Sequence, residues 1–171
     1  AIARGVHDRA AAFADLTGFT RLCENAPAGE IIDLLRQFRI RMEKAVFTHG
    51  GTVDKYIGDC LMAFWNAPLP VEGHVAHACR TALAMQARLV GLNEEWKAEA
   101  ESEGRGHIPV NIGVGLNTGH ASVGNFGSSQ RFTYSCRGAD ANLASRPEGR
   151  CKTYGVGMIV DADVEERVIL G

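Results

Sequence analysis

Phe13-Ala14-Asp15-Leu16-Thr17-Gly18-Phe19-Thr20 is the stretch on which the fold of this chain turns. An apolar run delivers the Asp15 carboxylate onto backbone free to turn at Gly18, and a new helix follows. Such a junction sets an oxygen ligand for a hard cation beside N–H groups suited to phosphate. Taken alone, Asp15 better suits an Asx-type bond to its own backbone. A second stretch bears on that choice. Gly51-Thr52-Val53-Asp54-Lys55-Tyr56-Ile57-Gly58-Asp59-Cys60-Leu61-Met62-Ala63-Phe64-Trp65 reads as a hairpin with Gly58-Asp59 at its tip. Carboxylates at the tips of neighbouring strands, Asp15 and Asp59, can share a site, and such a pair suits Mg²⁺ or Mn²⁺ better than zinc.

Outward from these stretches, residues 8 to 15 form a first strand, Ala-rich and therefore dependent on tertiary packing. Pro27 suits a first helical turn, and Ile31, Leu34, Leu35, Phe38, Met42 and Val46 recur at helical spacing until Gly50-Gly51 ends the run. Arg36, Arg39, Arg41 and Lys44 lie mostly off that stripe and read as a solvated or partner-facing side. After the hairpin, the two prolines of Asn66-Ala67-Pro68-Leu69-Pro70 stop the strand. A long helix follows, with Val75, Cys79, Ala82, Leu83, Leu89 and Val90 as its buried stripe and a Glu-rich exposed end. His74 and His77 lack a third metal ligand nearby and read as surface histidines.

From Ile108 the period changes to two. Ile108, Val110, Ile112, Val114 and Leu116 share one strand face, and residues 121 to 126 read as a further strand closing a hairpin. Gly113, Gly115 and Gly119 have the wrong spacing for a dinucleotide fingerprint, and a strand stands where that motif needs a helix. No Gly-x-x-x-x-Gly-Lys-Ser/Thr sequence is present, which excludes a P-loop NTPase. The order of strand, helix, hairpin, helix, hairpin and helix predicts an α+β fold with a ferredoxin-like βαββαβ core, its sheet layered by helices on one side.

A chain of 171 residues with 46% apolar content suits one domain, 1–171. The formal charge of −2 offers no field for a nucleic acid polymer or an anionic membrane, so any polyanion must be bound locally. The 5 cysteines are odd in number and scattered, without a C-x-x-C pair, which points to reduced thiols and a cytoplasmic setting. No apolar run is long enough to cross a bilayer, so an anchor of the parent protein would lie outside this chain.

Three segments in order, FADLTGFT (13–20), DKYIGDCLMAFWNAP (54–68) and NTGHASVGNFGSSQRFTYS (117–135) with NLASR (142–146), resemble the catalytic domain of class III nucleotidyl cyclases. The resemblance runs from about Val6 to about Val160. It implies a ferredoxin-like core with additional strands and helices, and a head-to-tail homodimer whose active sites draw residues from both chains. It further implies that Asp15 and Asp59 hold two divalent cations and that Leu16, Thr17, Gly18, Phe19 and Thr20 cradle a triphosphate. Asn142 would orient the ribose, and Arg146 would stabilise the transition state. The permanent charge and several donors of Arg suit that task. Lys55 and Ser135 fall where the family reads the purine. A Lys donor and a hydroxyl acceptor match the N1 acceptor and N6 donor of adenine, so ATP is the expected substrate.

Three features depart from the family. Its further phosphate-contacting Lys lies on a C-terminal hairpin, and this chain ends at Gly171 before such a segment. Arg137-Gly138-Ala139-Asp140-Ala141 replaces an apolar residue followed by Gly-Asp-x-Val. Pro147 follows Arg146 where Leu is usual, and predicts a kink that drives Arg146 towards extended geometry. An adenylyl cyclase domain is the reading these residues favour. The alternatives are a cyclase-fold module that binds nucleotide or a partner without turnover, and a guanylyl cyclase. Regulatory domains would lie outside the chain.

Overall fold

In the computed structural model, which describes residues 5–170, Asp15 lies near the end of the central strand β1 (Gly5–Thr17). The chain continues through α1 (Phe19–Asn25), α2 (Ala28–Thr48), β2 (Thr52–Ile57), β3 (Cys60–Trp65), α3 (His74–Ser102) and β4 (Asn111–Asn125). It closes with β5 (Tyr134–Arg137), α4 (Ala139–Leu143), α5 (Ser145–Tyr154), β6 (Met158–Val160) and α6 (Ala162–Leu170). The strand order β2-β3-β1-β4 is the expected ferredoxin-like core; β5 extends it beside β4, and β6 pairs with β4 in parallel. Alanine contributes little to strand formation, but β1 is laddered on both edges, to β3 and to β4, which supplies what its side chains do not.

Alternation along the strands divides the sheet into two faces. Ala10, Ala12, Ala14 and Leu16 share one with Leu61, Ala63, Trp65, Ile112, Val114 and Leu116, and α2 and α3 cover it with Leu34, Phe38, Met42, Val75, Met85 and Leu89. Trp65 is fully buried there and donates its indole N–H to the His49 carbonyl at 3.1 Å. Ala11, Phe13, Met62, Phe64, Ala121 and Val123 lie on the other face, against Ala141 and Ala144. Helices therefore cover both faces, not one as the sequence order suggested.

The second cover depends on the glycines of β4. A side chain on Gly115 would collide with the Ala144 carbonyl and come within 2.8 Å of Glu148 Cβ, and one on Gly113 would lie 2.9 Å from Cys151 Cβ. The segment expected as a hairpin between Ile108 and Phe126 is one continuous strand from Asn111 to Asn125. Gly119 makes no turn in it. It leaves room for the Asp140 carboxylate, which accepts the His120 N–H at 2.9 Å.

Three smaller expectations also change. Leu83 and Val90 are exposed, and Ala78, Met85 and Leu92 take their places in the buried stripe of α3. His74 and His77 are partly buried rather than superficial: His74 sits 3.5 Å from Asp8, and His77 Nδ1 lies 3.2 Å from the His49 carbonyl oxygen. Arg39 and Arg41 are used within the chain, Arg39 on the β2–β3 turn and Arg41 in an ion pair with Glu95. No helix among the described residues is long and apolar enough to cross a membrane.

Candidate active site

The candidate residues gather in two clusters. At the first, β1 brings Asp15 opposite Gly113, and the two-residue turn Gly58-Asp59, with φ of 63° at Gly58, brings Asp59 beside it. Arg39 of α2 holds that turn: its guanidinium donates to the Gly58 carbonyl at 2.9 Å and lies 4.5 Å from the centre of the Tyr56 ring. Burial pushes the Asp15 carboxyl up to about 7, with further rises from the Asp59 charge, the Glu148 charge and a hydrogen bond to Asp59; the Leu16 N–H works in the opposite sense. Burial also raises Glu148, with Asp59 adding to it, and lifts the Cys60 thiol to about 12. Three acidic side chains thus crowd one spot.

These oxygen donors fit a hard divalent cation, whose charge would relieve their repulsion. Among the described residues no three His, Cys, Asp or Glu side chains converge closely enough to enclose a metal by themselves. Such a cation would complete its shell with backbone oxygens, water and the phosphates of a nucleotide, the usual habit of Mg²⁺. Beyond Asp15, Gly18 takes φ of 83° and starts α1, so Leu16, Thr17, Gly18, Phe19 and Thr20 do form the strand-to-helix junction expected of them.

At the second cluster the curl of the sheet joins β2 and β5, which stand at opposite ends of the strand order. Lys55 Nζ donates to Ser135 Oγ at 3.1 Å. Between them sits Asp54, its side chain only 1% exposed. Asp54 Oδ2 accepts from Ser135 Oγ at 2.8 Å and from the Cys136 N–H at 2.9 Å, and Oδ1 lies 3.3 Å from Lys55 Nζ. Adjacent strand residues ordinarily point to opposite faces. Here the ladder slips between Val53 and Lys55, and the bulge lets Asp54 and Lys55 work together.

Asn142 and Arg146 are both exposed. The helix that carries them is interrupted at Ala144, where Ser145 Oγ donates to the Asn142 carbonyl at 2.7 Å. The break therefore falls before Arg146, not at Pro147. Arg146 is helical, the second residue of α5, which corrects the expectation of extended geometry there. Neither side chain bonds to another side chain among the described residues, so both are free to face a ligand.

Sequence reading found the Asp15–Asp59 pair and the Lys55–Ser135 pair but missed Asp54, Glu148 and Arg39. The adjacency of Asp54 and Lys55 was visible, yet only a bulge makes it meaningful. Glu148 had no signal beyond lying two residues after Arg146.

The family profile described as the adenylate and guanylate cyclase catalytic domain matches residues 5–160, and the chain belongs to this family. It is 34% identical over 154 residues to adenylate cyclase 1 of Rhizobium meliloti, covering 90% of this chain and 22% of that protein. To the adenylate cyclase of Anabaena cylindrica it is 32% identical, covering 89% of this chain and 29% of that one. The chain thus spans less than a third of the length of these curated relatives. Among solved structures, the adenylyl cyclase CyaB from P. aeruginosa superposes with a TM-score of 0.85 at 30% identity, over 97% of this chain and 82% of that one. The guanylyl cyclase Cya2 gives 0.84 at 26% identity, over 96% and 79%.

Proposed function

We propose that this domain converts ATP to 3′,5′-cyclic AMP and pyrophosphate at a site that two copies of the chain complete between them. The observation that carries the reading is the division of the site into an acidic cluster at Asp15 and a Lys55–Ser135 cluster joined through Asp54, with Asn142 and Arg146 exposed and free. Two relatives named as adenylate cyclases, and the likeness to CyaB, support ATP over GTP.

In the reaction, the ribose 3′-oxygen gives up its proton to solvent and attacks the α-phosphorus in line, a new P–O bond forms, and the bond to pyrophosphate breaks. Asp15 and Asp59 would hold two divalent cations, Mg²⁺ or Mn²⁺. When bound, these lower the pKa of the 3′-hydroxyl and neutralise phosphate charge. The N–H groups from Leu16 to Thr20 face the triphosphate, Asn142 orients the ribose, and the Arg146 guanidinium donates to the charge that develops on the transferring phosphoryl group. Lys55 and Ser135 hold the adenine edge. Regulatory input to the parent protein would come from segments beyond this domain.

The test is cyclic AMP formed from ATP and Mn²⁺ at a series of protein concentrations. Specific activity rising with concentration supports the shared site. Activity independent of concentration refutes the sharing, and no product at any concentration refutes the enzyme. A second reading, a nucleotide-binding module without turnover, is favoured by one observation: the break at Ala144 separates Asn142 from Arg146. Tight binding of Mn²⁺ and ATP without product would establish it.

A further inference from the structure

Asp54 has no part in the chemistry above, yet it is nearly fully buried and touches both base-reading side chains. Its surroundings fix which groups donate and which accept, with Oδ1 held 3.3 Å from Lys55 Nζ but without a hydrogen bond. A carboxylate can only accept and an ammonium can only donate. Asp54 Oδ2 takes the single hydroxyl hydrogen of Ser135, together with the Cys136 N–H. Lys55 donates to Ser135 Oγ and faces Asp54 Oδ1. Ser135, itself fully buried, is left only as an acceptor. Whatever joins or replaces Lys55 at its oxygen must be a donor. Lys55, 35% exposed, keeps donor capacity and nothing else.

The geometry points to Asp54 as a specificity-determining residue: by claiming the Ser135 hydrogen and anchoring Lys55, it fixes one acceptor and one donor for the purine edge. Adenine presents a complementary N6 donor and N1 acceptor. Guanine presents O6 where an acceptor is unwelcome, and its 2-amino group finds no partner. Without Asp54, Ser135 could rotate its hydrogen outward and donate to O6. A lone hydroxyl does not choose between the two bases; the carboxylate behind it makes the choice. This inference rests on the assignment of Lys55 and Ser135 to the purine.

The test compares ATP, GTP and purine riboside triphosphate, which lacks the 6-amino group, in this chain and two variants. Each nucleotide is followed by kcat/KM and, without turnover, by calorimetric affinity in the presence of Mn²⁺. The parent is expected to prefer ATP over the 6-unsubstituted purine by about tenfold, the value of one hydrogen bond to a buried acceptor. Asp54→Ala brings that ratio to about one and narrows the gap between ATP and GTP. Asp54→Asn keeps an oxygen for Ser135 and Cys136 but loses the charge beside Lys55. It keeps the ATP-to-purine ratio within about threefold, while affinity for all three falls about tenfold. Equal losses for all three nucleotides in both variants, with every ratio unchanged, would overturn the assignment and leave Asp54 a purely structural residue. A parent that binds with these preferences but forms no cyclic product would refute the cyclase reading and leave the role of Asp54 standing.

Discussion

The two halves of the candidate site are built on opposite electrostatic plans. Around Lys55, each charge has its counter-charge and each buried donor its acceptor: Asp54 serves Lys55, Ser135 and the Cys136 N–H at once. Around Asp15, carboxylates meet carboxylates, and the Asp15 proton is held up to about 7. The Lys55 cluster pairs its charges within the folded chain, although Asp54 Oδ1 makes no hydrogen bond there. The Asp15 cluster stores repulsion that a cation or a proton relieves. Removing a charge should therefore have opposite consequences for stability in the two places. Neutralising Asp54 takes the counter-charge from Lys55, whereas neutralising Asp15 or Asp59 removes repulsion.

The largest expected effect follows directly. Asp15→Asn or Asp59→Asn should lower cyclisation by at least about 10²-fold, through loss of the charge that would hold the cations. At neutral pH without metal, each variant should melt no lower than the parent. Activity near the parent's at saturating Mn²⁺ would end the two-cation assignment, and a lowered melting temperature would break the contrast between the clusters.

Next in size is the base-reading side. Lys55→Glu with Ser135→Cys should move preference from ATP towards GTP by roughly 10- to 100-fold, even if total activity falls, because a buried polar partner left unpaired costs about 1–3 kcal/mol. Competition between the two nucleotides measures it. An unchanged preference for ATP would place base recognition elsewhere.

How much of this was legible in the sequence depends on how local each feature is. The β2–β3 hairpin with Gly58-Asp59 at its tip, the α2 stripe ending at Gly50, and the order of the core strands follow from periodicity and turn chemistry over a few residues. The family resemblance joined those pieces into one site. Asp54 was hidden because strand periodicity sends neighbours to opposite faces, and a bulge that overrides it leaves no mark in the pattern. Glycine marks turns, but it also marks places where another element presses close, as Asp140 of α4 does at Gly119 inside the continuous strand β4. The second helical layer was hidden for the same reason. A strand face made of glycine reads as uncovered, although the absence of side chains is what admits α5.

A smaller effect is the pH dependence of the metal-free domain. Unfolded Asp15 titrates near 3.8 and the folded group near 7, so the folded state binds the proton more tightly between those values. The folded state is then favoured at acid pH, and that advantage is lost as pH rises through about 7. Solvent reaches this site, which reduces the effect to a few degrees of melting temperature. Melting curves in chelator from pH 5 to 8 should decline with pH, and saturating Mn²⁺ should flatten the decline. A parallel decline in Asp15→Asn would assign it to another group.

Pro147 is expected to matter least, although its position after Arg146 first suggested otherwise. A proline in mid-helix removes a hydrogen bond, crowds the preceding turn and costs about 3 kcal/mol. In the first turn the N–H has no intrahelical partner to lose, and the fixed φ suits the helix. Pro147 is the third residue of α5, so it stands in the turn where proline is tolerated. The interruption one turn earlier has its own supports: Ser145 Oγ on the Asn142 carbonyl, and the bare backbone of Gly115 beneath Ala144 and Glu148. Restoring an N–H at 147 would not by itself remove either support. Pro147→Leu should therefore change the melting temperature by only a degree or two and cyclase activity by less than about threefold. A rise of tenfold or more would mean that the proline, and not the seat on β4, sets the position of Arg146. If Lys55 and Ser135, on β2 and β5, read the purine as proposed, that variant should prefer ATP as strongly as the parent whatever happens to the rate.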